Sequence, residues 1–79
     1  MSNPTIDEDG HKRWFNDKGE RHRLDGPAIE WVDGYKFWYN NGEYIYRLDS
    51  DGRAYKGDMR NIPEVMKQSI IEHTLKLQS

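Results

Sequence analysis

The chain has no cysteine, only three prolines and no long apolar run in its 79 residues. The absence of cysteine excludes disulfides and thiolate metal sites, and makes a reducing cytoplasm the expected compartment. Because an apolar run is absent, we expect no signal peptide and no membrane-spanning segment. We therefore expect a cytoplasmic protein that has no membrane partner.

An excess of charge of either sign is also absent, because 12 Lys and Arg against 14 Asp and Glu give a net charge of −2. This balance provides no general attraction to nucleic acid or anionic lipid. The mean hydropathy of −1.13 is typical of disordered chains. However, aromatic residues make up 13% of the chain, and nine of the ten lie between Trp14 and Tyr46. Since large rings bury much area per residue, we expect one small folded domain with an aromatic core.

A 24-residue repeat organises the first two-thirds of the chain. The segments that recur at this offset are Asp9-Gly10 and Asp33-Gly34, Lys12 and Lys36, Trp14 and Trp38, Asn16 and Asn40, and Arg23-Leu24-Asp25 and Arg47-Leu48-Asp49. Gly19 and Gly42 are 23 residues apart, so one turn differs in length by a residue. Matches at this many positions indicate a true internal repeat.

Turn chemistry predicts the fold of each repeat. Asp-Gly and Asn-Gly pairs favour tight hairpin turns, and they occur at Asp9-Gly10, Asp25-Gly26, Asp33-Gly34, Asn41-Gly42 and Asp51-Gly52. The predicted strands between them are residues 11–16, 27–32, 35–40, 43–48 and 53–56. In residues 43–48, alternation places Tyr44, Tyr46 and Leu48 on one face, and Ile45 and Arg47 on the other. We expect a flexible acidic N-terminus, 1–9, followed by an antiparallel meander of four or five strands within residues 10–58.

Residues 59–79 have a different pattern. Asn61-Ile62-Pro63-Glu64 is typical of the start of a helix, with Asn61 or Ile62 as the cap. Ile62, Met66 and Ile70 then recur every four residues, as do Ile71 and Leu75. This spacing predicts one C-terminal helix with an apolar stripe that packs on the sheet or on a second copy.

The predicted fold class is therefore α+β: a small antiparallel β-meander of repeated hairpins with one C-terminal α-helix packed on it, all in one domain. The leading core candidates are Trp14, Ile29, Trp31, Phe37, Trp38 and Ile45.

Two strings in the repeat resemble a known family. Asp33-Gly34-x-Lys36-x-Trp38-Tyr39-x-Asn41-Gly42 and the segment His22 to Ala28 are similar to the WYxNG and HRxDGPA motifs of MORN-like tandem-repeat proteins of bacteriophages and bacteria. The resemblance covers roughly Gly10 to Gly52, and implies β-hairpin units and a phage-type accessory protein that binds and modulates a host protein in the host cytoplasm. It implies no enzyme activity. Ser50 replaces Gly26 in the second copy, so the array is expected to end there, with the helix as its cap.

Catalytic and metal sites are the weaker interpretations. His22, beside Arg21, Arg23 and Asp25, could act as a general base in a small hydrolase. However, Tyr46 replaces His22 in the second repeat whereas the Arg and Asp positions persist, which favours a structural ion pair. His11, His22 and His73 lack the spacing of a metal site. We therefore expect no enzyme activity, no metal and no cofactor.

Binding of a protein partner is the favoured function, because Tyr, Trp and Arg are common interface anchors. The candidate partner-binding residues are Arg21, Arg23, Trp38, Tyr39, Tyr44, Tyr46 and Arg47. The expected partner is a host protein, and a homodimer is an open alternative. A second alternative is a small RNA- or DNA-binding module that uses Trp, Tyr, Arg and Lys on a sheet face.

Overall fold

The computed structural model describes residues 4–78, with side chains up to Lys76; residues 1–3 and Ser79 lie outside it. Six antiparallel strands form one sheet in the order of the chain, and a helix follows. The elements are β1 (Thr5–Ile6), β2 (Lys12–Arg13), β3 (Ile29–Glu30), β4 (Lys36–Asn40), β5 (Glu43–Leu48), β6 (Ala54–Lys56) and α1 (Glu64–Gln78). This confirms the predicted α+β meander with a C-terminal helix. Within residues 4–78, α1 lacks the length and apolar character needed to cross a bilayer.

The sheet starts earlier than the sequence predicts. Thr5 pairs with Arg13 and Ile6 pairs with Lys12, so β1 lies within the segment that was expected to be a flexible N-terminus. Asp7 explains the difference, because its Oδ1 accepts the N–H groups of Asp9 and His11 at 3.0 Å each and so fixes the turn that follows β1.

One loop type recurs four times in the structure. These loops span residues 7–11, 16–20, 31–35 and 49–53. In each, the first residue donates its N–H to the C=O of the fifth, and the fourth residue donates its N–H to the C=O of the first. The fourth residue is always a glycine with positive φ. This is the three-residue hairpin loop built on a type I turn, and it confirms the turns predicted at Asp9-Gly10, Asp33-Gly34 and Asp51-Gly52.

The turn at the second hairpin tip is one residue shorter. Asn41 and Gly42 connect β4 to β5 as a two-residue turn, since Asn40 pairs directly with Glu43. Their φ values of 51° and 86° are those of the type I′ turn that Asn-Gly favours. The short turn therefore explains why Gly19 and Gly42 are 23 residues apart and not 24.

A β-bulge after this turn restores the 24-residue offset. Trp38 pairs with Tyr46 and Tyr39 pairs with Tyr44, so that Ile45 is an extra residue in β5. The second turn is one residue shorter than the first, and β5 is one residue longer, so the two differences cancel. Beyond the bulge, the 24-residue register of the repeat is restored.

The bulge also changes which residues of β5 face the helix. Ile45, Tyr46 and Leu48 are all buried in the core that includes α1, whereas Tyr44 and Arg47 lie on the opposite face. The sequence-based assignment, which grouped Tyr44 with Tyr46 and Ile45 with Arg47, is therefore wrong. Strict alternation fails here because Ile45 is an extra residue in β5. Tyr44, which precedes it, therefore lies on the face opposite to the one that alternation predicts from Tyr46.

A second departure from regular strand structure lies opposite Trp14. The N–H of His22 donates to the C=O of Trp14 at 3.0 Å, and the N–H of Trp14 donates to the C=O of Ala28 at 2.8 Å. The intervening residues 23–27 form a loop that departs from the sheet after Arg23, whose N–H still donates to the C=O of Tyr39 at 3.4 Å. The Arg23 guanidinium lies 3.9 Å from the centre of the Trp14 ring and covers it. Trp14 is therefore buried without belonging to the core beneath α1.

Asp25-Gly26 is the exception among the five predicted turns. Gly26 lacks a positive φ, and the chain bends there within loop 23–27 instead of forming a hairpin turn. Glycine at this position leaves room for Arg23, because a Cβ on residue 26 would lie 2.6 Å from Cζ of Arg23 and the guanidinium would have to shift. The glycine thus permits close approach of the guanidinium.

The main core lies between α1 and β4–β5. Trp38, Ile45, Tyr46 and Leu48 pack against one stripe of α1, which consists of Met66 and Ile70 together with Ile62 from the preceding turn. The predicted stripe of Ile62, Met66 and Ile70 is thus confirmed. Pro63, just before α1, accepts the first helical hydrogen bond, from the N–H of Lys67, so the cap falls on Pro63 instead of Asn61 or Ile62.

Candidate binding face

The face of the sheet opposite α1 is the candidate functional site. Because residues paired across strands share a face, Arg13, Ile29, Phe37, Arg47 and Tyr55 form one continuous row across β2 to β6. Trp38, which follows Phe37, contacts α1, so this row points away from the helix. We call the surface the aromatic–arginine face. Its residues are His11, Arg13, Phe15, Arg21, Ile29, Trp31, Tyr35, Phe37, Tyr39, Tyr44, Arg47 and Tyr55.

Arg47 lies at the centre of this face. Its guanidinium is 5.8 Å from the ring centre of Tyr35, 5.6 Å from that of Phe37 and 4.9 Å from that of Tyr55. Asp49 accepts hydrogen bonds from Nε at 2.6 Å and from Nη2 at 3.3 Å. The hydrogen bond to Asp49 raises the pKa of Arg47 above its usual value. One cation is thus fixed over three rings by a carboxylate of its own chain.

Arg13 has the same kind of environment near β1. Its guanidinium lies 5.4 Å from the centre of the Trp31 ring, and its Nη1 donates to Oδ2 of Asp7 at 3.0 Å. The His11 ring contacts the same indole edge-on, with 4.2 Å between ring centres. Desolvation raises the pKa of Asp7, but the hydrogen bonds from Arg13 and from two backbone N–H groups outweigh it, so the pKa is lower than usual.

Arg21 differs from the other arginines of the face. It is exposed, lies 5.8 Å from the centre of the Tyr39 ring, and has no ion-pair partner within residues 4–78. Tyr39 in turn contacts Tyr44 edge-on at 6.0 Å between ring centres. The hydroxyl of Tyr44 donates to the C=O of Tyr55 at 2.6 Å, and burial raises the pKa of Tyr44. Arg21 is thus the cation of this face that is best placed to meet an outside group.

Two of the predicted partner-binding residues do not lie on an accessible surface. Trp38 is 0% exposed and Tyr46 is 5% exposed, and both belong to the core beneath α1. Arg23 covers Trp14 and bonds to Asp25 and Glu30, away from the aromatic–arginine face. These placements correct the prediction for Arg23, Trp38 and Tyr46, because residue type does not specify which face of the sheet a side chain occupies. Arg21, Tyr39, Tyr44 and Arg47 do lie together on the face.

Sequence reasoning did not select several residues that complete the face. They are His11, Arg13, Phe15, Ile29, Trp31, Tyr35, Phe37 and Tyr55. The sequence contains a signal for Tyr35 and Phe37. Tyr35, just before β4, and Phe37, within it, alternate with Lys36 and Trp38 and so share a face with Tyr39. Phe37 and Trp31 were expected in the core, but the structure leaves both only partly buried on the open face. Trp14, Ile29, Trp38 and Ile45 are buried as predicted.

The histidines have structural contacts. Nδ1 of His22 accepts the N–H of Asn41 at 2.9 Å, which links the two hairpin tips. Nδ1 of His11 accepts the N–H of Val32 at 3.1 Å in the same way. The His73 ring packs edge-on against Trp38, with 5.4 Å between ring centres. In His22, the candidate general base, the Nδ1 lone pair is therefore occupied by the adjacent repeat.

One group of possible metal ligands occurs within the described residues. Ligand atoms of Asp7, Asp9 and His11 all lie within 4.8 Å of one another. However, Oδ1 of Asp7 already accepts two backbone N–H groups, and Oδ2 accepts the guanidinium of Arg13. The carboxylate of Asp7 thus serves the turn and the ion pair, which explains the cluster without a metal.

A shallow apolar groove of about 230 Å³ lies between α1 and the edge of the sheet. It is lined by Tyr46, Lys56, Met59, Ile70, Ile71, Thr74 and Leu75. Ile71 is 49% exposed and Leu75 is 60% exposed, so these two residues form the rim rather than the floor. The groove contains no arginine, whereas Arg13 and Arg47 lie among the rings of the aromatic–arginine face.

Comparison with known proteins finds no match: no family model, no curated protein and no solved structure matches this chain. The resemblance to MORN-like repeat proteins therefore stays a prediction that rests on the two motifs.

Proposed function

We propose that this chain is a non-enzymatic protein-interaction module that binds a protein partner through the aromatic–arginine face. The observation that supports this most is the organisation of the face itself, where Arg13 and Arg47 are fixed among rings by Asp7 and Asp49. Tyr, Trp and Arg are the side chains that most often contribute large binding energies at protein interfaces. Side chains that are already ordered lose little entropy on binding, so the face is preorganised for a partner.

A protein partner fits these contacts better than a nucleic acid. Bases stack on open ring faces, but the guanidinium of Arg47 already occupies the space over Tyr35, Phe37 and Tyr55. Phosphate binding needs cations whose charge is uncompensated, whereas Arg13 and Arg47 are paired with carboxylates. Arg21 alone would add little to such binding in a chain of net charge −2.

The family resemblance extends this proposal to a phage accessory protein that modulates a host protein in the host cytoplasm. This extension is supported by the motifs of the repeat alone. The contacts of the face support the broader proposal, that of a protein interface, whatever the source of the partner.

The test is capture of partners from bacterial lysate with the tagged chain, with and without nuclease. We expect a discrete protein that is retained after nuclease treatment and is lost with Arg21→Ala or Tyr39→Ala. Both changes remove groups from the face, and circular dichroism verifies that each variant is folded. The captured protein is then purified and its binding to the same variants is measured directly.

Leu75→Ala is the matched control, because Leu75 is 60% exposed on α1 at the other side of the sheet. This variant should retain the partner. Capture that disappears with nuclease would contradict the proposal and favour the RNA- or DNA-binding alternative. A partner lost with Leu75→Ala but kept by both face variants would place the interface at α1.

A further inference from the structure

We propose that Arg21 binds an acidic side chain of the partner protein, so that the partner segment at this end of the aromatic–arginine face contains an Asp or a Glu. This inference rests on the proposed function, since it names the chemistry of the partner at the same face. Two features of the structure support it: the pairing of the arginines within the chain, and the surroundings of the Arg21 guanidinium.

Arg21 is the exception among the six arginines of the chain. The other five each have a carboxylate oxygen of their own chain within 2.6–3.5 Å of a guanidinium nitrogen, whereas Arg21 has none within residues 4–78. The arginines that lie over rings are Arg13, Arg21, Arg23 and Arg47. Of these four, Arg21 alone has a ring without a carboxylate, so a carboxylate is the group that its site lacks.

The acidic residues next to Arg21 in the sequence do not supply this group. Glu20 precedes it, but Nδ2 of Asn16 donates to Oε1 of Glu20 at 2.9 Å. Asp25 is the next acidic residue after it, and its Oδ1 lies 3.1 Å from Nε of Arg23. The Arg21 guanidinium is therefore available to a carboxylate from another molecule.

The surroundings of Arg21 favour such a contact. Its backbone pairs with Phe15 across the first hairpin, and its C=O accepts the N–H of Gly42 at 2.8 Å. Its guanidinium lies 5.8 Å from the centre of the Tyr39 ring, and Tyr44 contacts Tyr39 edge-on. The cation is thus flanked by rings on a fixed backbone. A partner that covers these rings also shields the guanidinium from water, which strengthens its hydrogen bonds to a carboxylate.

A carboxylate fits this site better than a phosphate group. The planar guanidinium bonds both oxygens of one carboxylate at once. Recognition of phosphorylated peptides instead uses clusters of arginines, and the other arginines of the face, Arg13 and Arg47, are already paired with carboxylates. The rings of Phe15 and Tyr44 lie to either side, so we expect an apolar residue next to the acidic residue in the partner segment.

Selection from a library of random peptides, displayed between constant flanking segments, tests the proposal. We expect the wild-type chain to enrich peptides with an Asp or Glu at one constant position beside an apolar residue. Arg21→Glu should lose these peptides and enrich Lys or Arg at that position. Lys18→Glu is the matched control, because it makes the same change of charge at an exposed residue of loop 16–20 and should enrich the wild-type peptides.

A synthetic copy of the most enriched peptide gives a second readout, in which the acidic residue of the peptide is changed and the chain is not. Replacement of that residue by Gln should weaken binding to the wild-type chain by about tenfold in dissociation constant, as loss of a charge-assisted hydrogen bond does. The same replacement should change binding to Arg21→Gln by less than about twofold, because the pair is already broken.

Four outcomes would overturn the proposal. Enriched peptides that lack a constant acidic residue, or that Arg21→Glu still binds, would support a protein interface but exclude the carboxylate. Equal binding of a peptide whose only carboxylate is its C-terminus would assign Arg21 to chain ends. Displacement of the peptide by a single-stranded oligothymidylate that binds through Arg21 would assign it to nucleic acid. Failure to enrich any peptide would exclude the acidic segment, and would leave the proposed function to be decided by the lysate experiment.

Discussion

At the scale of single residues, Arg23 determines the path of loop 23–27. Its guanidinium covers the Trp14 ring at 3.9 Å and bonds to Asp25 at 3.1 Å, to the C=O of Pro27 at 3.2 Å and to Glu30 at 3.0 Å. Gly26 lies so close beneath it that a Cβ would contact Cζ of Arg23 at 2.6 Å. The glycine and the arginine therefore act as one structural unit.

Gly26→Ala should destabilise the fold because the methyl group displaces the Arg23 guanidinium from its partners. Loss of such charge-assisted hydrogen bonds costs about 1–3 kcal/mol of unfolding free energy, measured by urea denaturation. The control is a double-mutant cycle with Arg23→Ala. If the clash acts through the guanidinium, Gly26→Ala should cost little in the Arg23→Ala background. Additive effects would show that residue 26 needs glycine for another reason.

Ser69 is the second residue whose removal has a defined cost. The buried indole N–H of Trp38 donates to Oγ of Ser69 at 3.2 Å, and Ser69 is itself 6% exposed. Ser69→Ala leaves that buried N–H without its partner. We expect a loss of about 1–3 kcal/mol in unfolding free energy. Gln68→Ala, next to it on the exposed side of α1, should change stability by less than about 0.5 kcal/mol.

At the scale of elements, α1 is stabilised by its packing on the sheet. Met66 is 0% exposed within the core, whereas Leu75 is 60% exposed on the outer side of the same helix. Met66→Ala should cost about 2–5 kcal/mol in unfolding free energy, because it leaves a cavity against Trp38 and Leu48. Leu75→Ala should cost less than about 0.5 kcal/mol. Equal losses in chemical denaturation would mean that helix propensity, and not packing, determines the effect.

The elements could be predicted from the sequence where a local signal specifies them. The recurrent glycine turns, the alternation along β4 and the four-residue spacing of Ile62, Met66 and Ile70 each depend on neighbouring residues. The bulge at Ile45 could not be placed in this way. The 23-residue glycine spacing indicated one residue of difference, but its position depends on the pairing of β5 with β4, which is a tertiary contact.

The candidate site was only partly predictable for the same reason. Tyr39, Tyr44, Arg21 and Arg47 were selected by residue type, and the structure brings them together on one face. Trp38 and Tyr46 have the same chemistry but are buried, because facing is decided by the bulge and by the position of α1. Trp31 was expected in the core, yet it forms part of the open face through Arg13 and His11.

At the scale of the whole molecule, the described residues 4–78 cover the sheet on one side only. The side that α1 covers contains the main core, and loop 23–27 extends this cover to Trp14. The opposite side has partly buried rings that are stabilised by guanidinium groups instead of a second layer. An isolated sheet of this kind has too little buried area to fold alone, since a stable domain needs two packed layers.

Removal of α1 tests this asymmetry. A chain that ends at residue 61 retains all six strands but exposes Trp38, Ile45 and Leu48, which are at most 1% exposed in the full chain. We expect it to lose cooperative urea unfolding and to shift its tryptophan emission to the red, because the core of the domain then lacks its second layer. The full-length Met66→Ala variant is the control, since it weakens the same contact while keeping the helix, and it should still unfold cooperatively. Cooperative unfolding of the shortened chain would instead mean that the aromatic–arginine face, with its rings and paired arginines, stabilises the sheet on its own.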